Sequence, residues 1–176
     1  MPPLKVHHLQ YSQSERIPWL LHELALTNQP IPYELIIHRR APYFSPPALV
    51  ALHPMKAAPV LEDGPLILAE SGAIIEYVLD THAPSSTLKL RPNQPGYTNY
   101  LFWFHWANAN LQPCIMRCVT LVRTGLPDSH PAKVGVVERL HTALAFLDAH
   151  LREDGVEWLA GPEGGFSAAD IMMVFL

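Results

Sequence analysis

Residues 58–68, Ala-Pro-Val-Leu-Glu-Asp-Gly-Pro-Leu-Ile-Leu, restrict what this chain can fold into more than any other stretch. Two short apolar runs flank Glu62-Asp63-Gly64-Pro65, the composition of a β-hairpin turn. Pro59 stands at the entrance to the first run, where its missing N–H confines it to a strand start or an edge and permits a cis bond to Ala58. Directly after the hairpin, Ser71 is placed to cap a helix over 72–82, with Ile74, Ile75, Val78 and Leu79 on its buried side.

Upstream, Leu4 to Leu9 is short, partly alternating and β-capable, and it runs into the polar loop Tyr11-Ser12-Gln13-Ser14. From Glu15, apolar residues at 17, 19, 20, 21, 24 and 26 recur at helical spacing, with Ser14 as the expected N-cap and Pro18 in the first turn. Pro30 and Pro32 stop that helix, and Tyr33 to His38 reads as a second strand. A strand, crossover helix and strand in this order predict a right-handed βαβ unit with parallel strands. Residues 39–47 have a loop composition, with room for one short helix in 48–53. The first 83 residues therefore form an α/β domain of βαβ-ββα order.

A Pro- and Ser-rich stretch, 84–94, is the expected linker, and residues 95–176 change character to all-α. Residues 93–123 carry a long helical pattern interrupted at Pro113, and 131–152 places Val134, Val137, Leu140, Leu144, Leu147 and Leu151 on one helical stripe. After a Gly/Pro loop, Ser167 and Asp170 stand at capping-box spacing, flanked by Phe166 and Ile171 as a hydrophobic staple. The helix they open is apolar nearly all round and reaches Leu176 after two turns, so it expects a covering layer. The helical domain reads as incomplete: another chain supplies the cover, or the product is truncated.

Charge excludes several partners. Twelve Lys and Arg stand against 16 Asp and Glu, a formal charge of −4, and the basic residues do not cluster beyond Arg39 and Arg40, which read as a solvated loop. No nucleic-acid partner is expected. No apolar stretch approaches the ~20 residues that cross a bilayer, so no membrane partner is expected and the cytoplasm is the expected compartment. Cys114 and Cys118 fall on one helix face and read as buried packing, and the ten His residues are scattered without a metal-binding spacing, so no metal is assigned. Tyr100, Trp103, Trp106 and Met116 read as core.

Four segments together resemble the glutathione transferases, in particular the fungal group and its bacterial relatives with a Ser-type first loop. They are Tyr11-Ser12-Gln13-Ser14-Glu15-Arg16-Ile17-Pro18-Trp19-Leu20-Leu21, His53-Pro54-Met55-Lys56-Ala57-Ala58-Pro59-Val60-Leu61, Leu68-Ala69-Glu70-Ser71-Gly72-Ala73-Ile74-Ile75-Glu76-Tyr77, and Ser167-Ala168-Ala169-Asp170. The resemblance implies a thioredoxin-like glutathione-binding domain followed by the helical domain, and a homodimer. It implies that Glu70 and Ser71 bind the γ-glutamyl end at a helix N-terminus, that Val60 after Pro59 pairs its backbone with the cysteinyl part, and that Lys56 reaches the glycyl carboxylate. Family members usually place a cation and then a hydroxyl immediately before the Pro-Val; here the cation stands one position early and Ala58 replaces the hydroxyl.

Ser12 is the implied catalytic residue, hydrogen-bonded to the thiol so that the thiolate, the nucleophile, is favoured. Either Ser12 or Ser14 could serve only as a helix cap, and the resemblance gives the thiol to Ser12 and the cap to Ser14. The implied activity is addition of glutathione, as cosubstrate, to an electrophilic apolar acceptor. Two alternatives share the same residues: a glutathione-binding protein without turnover, and a glutathione-dependent peroxidase, isomerase or biosynthetic enzyme.

Overall fold

A computed structural model of the chain describes residues 2–41 and 44–174. Its contacts divide the chain into two compact units, the first ending at Lys89 inside the Pro/Ser stretch and including Val174, the second running from Leu90 to Met173. Ser86, Leu88 and Leu90 of that stretch are buried, so it is packed rather than loose.

The first unit is built on a four-stranded sheet in the order β2-β1-β3-β4. Strands β1 (Leu4–Leu9) and β2 (Tyr33–His38) run parallel, with Leu4 opposite Tyr33 and Leu9 opposite His38. Between them lies α1 (Arg16–Leu26), which buries Ile17, Leu20, Leu21 and Leu24. A short α2 (Pro47–Val50) seats Leu49 against Leu9 and Val60. The hairpin forms as the turn chemistry requires: β3 (Val60–Asp63) and β4 (Leu66–Ala69) pair antiparallel, and Gly64 takes a positive φ of 56° that a side chain would disfavour. The peptide Ala58-Pro59 is cis. Next, α3 (Ser71–Thr81) buries Ile74, Ile75, Val78 and Leu79.

The start of α3 departs from expectation. Ser71 is its first helical residue rather than its cap; the cap position falls to Glu70, whose side chain makes no capping bond. The reason is backbone geometry, because the positive φ of 74° at Glu70 turns the chain one residue earlier than the serine.

The second unit is helical. The long pattern after residue 93 becomes α4 (Tyr97–Trp106), a π-turn at Ala107–Leu111 and α5 (Gln112–Val122). Pro113 lacks the N–H that an unbroken α-helix needs there, and the ladder widens just before it. Tyr100, Trp103 and Trp106 are core residues, whereas Met116 is exposed. The helix α6 (Pro131–Leu151) forms over its expected length, yet none of its described residues is buried, its apolar stripe included. The capping box is present at α7 (Ala168–Met172): Ser167 accepts from the Ala169 amide, and Asp170 accepts from the Ser167 amide at 2.9 Å. Phe166 meets the ring of Trp158 edge-on at 5.0 Å. Four of the five α7 residues are buried. The expected continuation through Phe175 and Leu176, and Pro42 and Tyr43 of the 39–47 loop, lie outside the described residues. No described helix is long and apolar enough to cross a membrane.

Candidate active site

The loop leaving β1 is shaped by hydroxyls. Tyr11 takes a positive φ of 53°, which sends Ser12 into an extended conformation with its side chain turned back over the next residues. Ser12 Oγ accepts from the Ser14 amide at 3.3 Å and thereby caps a 3-10 turn, Gln13–Glu15, that leads into α1. The expected cap, Ser14, does not hold that position. Its side chain is fully buried beneath the loop, and Leu9 N donates to its Oγ at 2.9 Å. The correction has a simple cause: with two serines two residues apart, the one in extended backbone becomes the cap, and Tyr11 decides which that is. Arg40, expected in a solvated loop, instead steadies this segment, donating from Nε to Gln10 O at 3.0 Å and from Nη2 to Tyr11 O at 2.6 Å.

Two residues past Ser14, Arg16 lies on the inward face of α1 and is fully buried. Its Nη1 donates to Ser71 Oγ at 3.0 Å, joining the start of α1 to the start of α3. Burial lowers its pKa to about 10, against the opposing pull of the Glu15 carboxylate, and the guanidinium keeps its charge at neutral pH. The α3 amides of Ser71, Gly72 and Ala73 precede the first helical bond, from Ile74 N to Glu70 O, so they remain free for an anion. A buried cation behind a helix start favours a negative group in front of it.

Val60 is fully buried and pairs in register with His7 of β1 and Ala69 of β4, the residue before Glu70. The sheet therefore carries the cis-proline strand alongside the start of α3. Lys56 is exposed, with a positive φ of 56°. Hydrogen bonds and strand register thus link Ser12, Ser14, Arg16, Ser71, Glu70 and Val60 within the first unit, while Lys56 has no such link to them.

Arg16 and His8 were not singled out by the sequence reading. A signal existed for each: Arg16 is in phase with Leu20 and Leu24 on the buried helical stripe, and His8 with Leu4 and Val6 on one face of β1. A polar residue in phase with a buried stripe calls for a partner. Elsewhere, Cys114 is buried and Cys118 partly so, both as free thiols, and the described residues hold no group of three or more His, Cys, Asp or Glu able to bind a metal.

Comparison with known proteins identifies the family. Residues 6–86 match the family model described as glutathione S-transferase, N-terminal domain. Glutathione S-transferase 1 of Saccharomyces cerevisiae is 30% identical over 192 residues, covering 99% of this chain and 80% of the yeast protein. The chain belongs to the glutathione S-transferase family. A crystal structure of a glutathione S-transferase from Actinobacillus pleuropneumoniae matches with a TM-score of 0.81 at 28% identity, covering 97% of this chain and 74% of that one. A glutathione transferase from Phanerochaete chrysosporium, solved with oxidized glutathione, shares the fold at a TM-score of 0.77 and 21% identity, over 99% of this chain and 77% of that one. In this glutathione S-transferase family member, the expected thioredoxin-like mixed sheet with a helical C-terminal region is the fold observed.

Proposed function

We propose that the first unit binds glutathione and holds its thiol as a thiolate against Ser12, for attack on an electrophilic apolar acceptor. The observation that carries this reading is the Ser12 hydroxyl, partly exposed at the carboxyl end of β1 and at the entry to a helical turn, in a chain of this family. A hydroxyl donating to sulfur favours the charged form and lowers the thiol pKa. The thiolate sulfur then forms a bond to the electrophilic atom: in a substitution the leaving group departs with its bonding pair, and in an addition the π pair moves onto the acceptor's neighbouring atom, which takes a proton from solvent; the thiol proton has already gone to solvent.

The remaining residues fit the rest of the tripeptide. Because Ser71 Oγ accepts from Arg16, its own proton is available to the γ-glutamyl carboxylate, which the free α3 amides and the helix dipole also favour. Glu70 supplies an acceptor for the α-amine. The strand entered at Pro59 and Val60 flanks the cysteinyl part, and Lys56 meets the glycyl carboxylate as a flexible point charge. The working unit in this reading is a homodimer in the cytoplasm, which light scattering and fractionation check.

Retention on immobilised glutathione, together with turnover of a generic aryl halide, tests the reading. Ser12→Ala is expected to lower kcat/KM about 100-fold and to raise the bound thiol's pKa while retention persists. Wild-type binding without turnover makes the chain a glutathione-binding protein only, and loss of both rejects the site.

A further inference from the structure

The loop after β1 contains a run of short polar contacts longer than a helix cap requires. Ser12 Oγ lies 2.7 Å from Leu9 O and 2.6 Å from Ser14 Oγ, and Ser14 Oγ lies 2.8 Å from His8 Nδ1. Each of these three contacts is a hydrogen bond between heavy atoms, and each needs its own hydrogen.

The hydrogens can be assigned one at a time. A carbonyl cannot donate, so the bond to Leu9 O uses the Ser12 proton. The bond between the two hydroxyls must then use the Ser14 proton, directed at Ser12. With both hydroxyl protons spent, the bond to His8 uses a proton on His8 Nδ1. The reverse order fails: if Nδ1 accepted, Ser14 would give its proton to His8 and Ser12 its proton to Ser14, leaving two bare oxygens, of Ser12 and Leu9, facing each other at 2.7 Å.

The acceptor sites close in the same way. Ser14 Oγ takes Leu9 N–H and His8 N–H on its two lone pairs, and Ser12 Oγ takes the Ser14 O–H and, at 3.3 Å, the Ser14 N–H. Ser12 therefore has no free lone pair for a thiol S–H and one movable proton, which passes to an incoming sulfur as the hydroxyl turns away from Leu9 O.

We infer that His8 is a positioning residue: its Nδ1–H, donated to the buried Ser14 hydroxyl, turns the Ser14 proton onto Ser12 and leaves Ser12 only a donor, to Leu9 O in this structure and to a thiolate when one is bound. The inference rests on the proposed glutathione reading and adds to it the origin of Ser12's polarity. Successive donation from His8 to Ser14 to Ser12 to sulfur also polarises each hydroxyl in turn, so the last donor is stronger than an isolated serine. Burial of His8 lowers its pKa and favours the uncharged ring, with the Glu15 carboxylate and a backbone hydrogen bond at Ser14 pulling the other way; which nitrogen keeps the proton follows from the hydrogen assignment above. No covalent bond is made or broken in this device beyond proton reorientation.

Two measurements test it. In the wild-type protein, the ring nitrogen resonances of His8 should show Nδ1 protonated and Nε2 bare; the opposite tautomer overturns the inference without reference to any variant. Among variants, His8→Leu removes the donor, whereas His8→Asn keeps an N–H near the place of Nδ1. With glutathione bound, His8→Leu is expected to lower the thiolate fraction at neutral pH, read by ultraviolet absorbance, and kcat by about tenfold each, with KM for glutathione nearly unchanged. His8→Asn should stay within about twofold of wild type. Equal behaviour of wild type and His8→Leu, or equal impairment of both variants, overturns the inference. A wild type that forms no thiolate overturns the underlying reading and this inference with it, whereas a wild type and His8→Leu that form it equally overturn the inference alone.

Discussion

Each unit of this protein opens a helical segment with a serine in nearly the same pose. Ser12 has φ −151° and ψ 163°, Ser167 has φ −147° and ψ 174°, and each accepts a hydrogen bond from the amide two residues on at 3.3 Å. The surroundings differ. Ser167 is fully buried, and its hydroxyl donates to Asp170, an acceptor on the same turn. Ser12 is partly exposed, and its hydroxyl continues into a second serine and a histidine from the preceding strand. One cap is a closed knot, and the other is the accessible end of a polar chain. The Ser12 proton rests on a neutral carbonyl and can be offered to a stronger acceptor, whereas the Ser167 proton is held by a carboxylate.

The strongest way to break the comparison is to open the closed cap. Asp170 accepts from Leu159 N at 2.9 Å, Ser167 N at 2.9 Å and Ser167 Oγ at 3.0 Å, all in a partly buried setting. Asp170→Ala leaves three donors without their acceptor, so a loss of about 3 kcal/mol or more is expected in denaturant unfolding of the second unit. If the loss is below about 1 kcal/mol, water replaces the carboxylate and the cap is not closed in the sense argued here.

A finer test pairs the two serines. Their matched cap geometry predicts that Ser12→Ala and Ser167→Ala each cost about 1 kcal/mol of stability, while only Ser12→Ala reduces turnover per folded molecule. Equal loss of turnover in both would mean that the Ser12 effect is conformational, and the contrast between an open and a closed cap would fail.

Much of this contrast was hidden in the sequence for a physical reason. The order of strands and helices was legible because period 2 and period 3.6 leave their mark on every buried face, as in Leu4 and Val6 or in Ile74, Ile75, Val78 and Leu79. The box of Ser167 and Asp170 was legible because both halves of its chemistry lie within one turn. Ser12 and Ser14 could not be ranked that way. Their roles depend on a left-handed residue at Tyr11 and on His8, a strand residue whose hydroxyl partner exists only once the loop has folded back. Glu70 likewise moved the start of α3 by one residue through its own positive φ. The stripe of α6 is legible as a helix, but the exposure of Val134, Val137, Leu144 and Leu151 on it is not, because periodicity reports a face and says nothing of what covers it.

The smallest expected effect is also the one that separates the two caps by sign. Burial raises the Asp170 carboxyl above its ordinary 3.8, overcoming the amides and the hydroxyl that pull it down. Between 3.8 and its higher folded value the folded state binds more protons than the unfolded chain, so Asp170's contribution to stability falls as pH rises through that window. His8 behaves oppositely: burial lowers it below 6.5, the unfolded chain binds more protons between the two values, and its contribution is lost as pH falls through them. Denaturant midpoints measured against pH for wild type, Asp170→Asn and His8→Asn isolate the two terms by difference. The wild-type minus Asp170→Asn difference should decline on going from acid toward neutral pH, and the wild-type minus His8→Asn difference should decline on going from neutral toward acid. Slopes of the same sign would mean that the two caps meet the proton alike, and that the polarity argued for the Ser12 loop has another source.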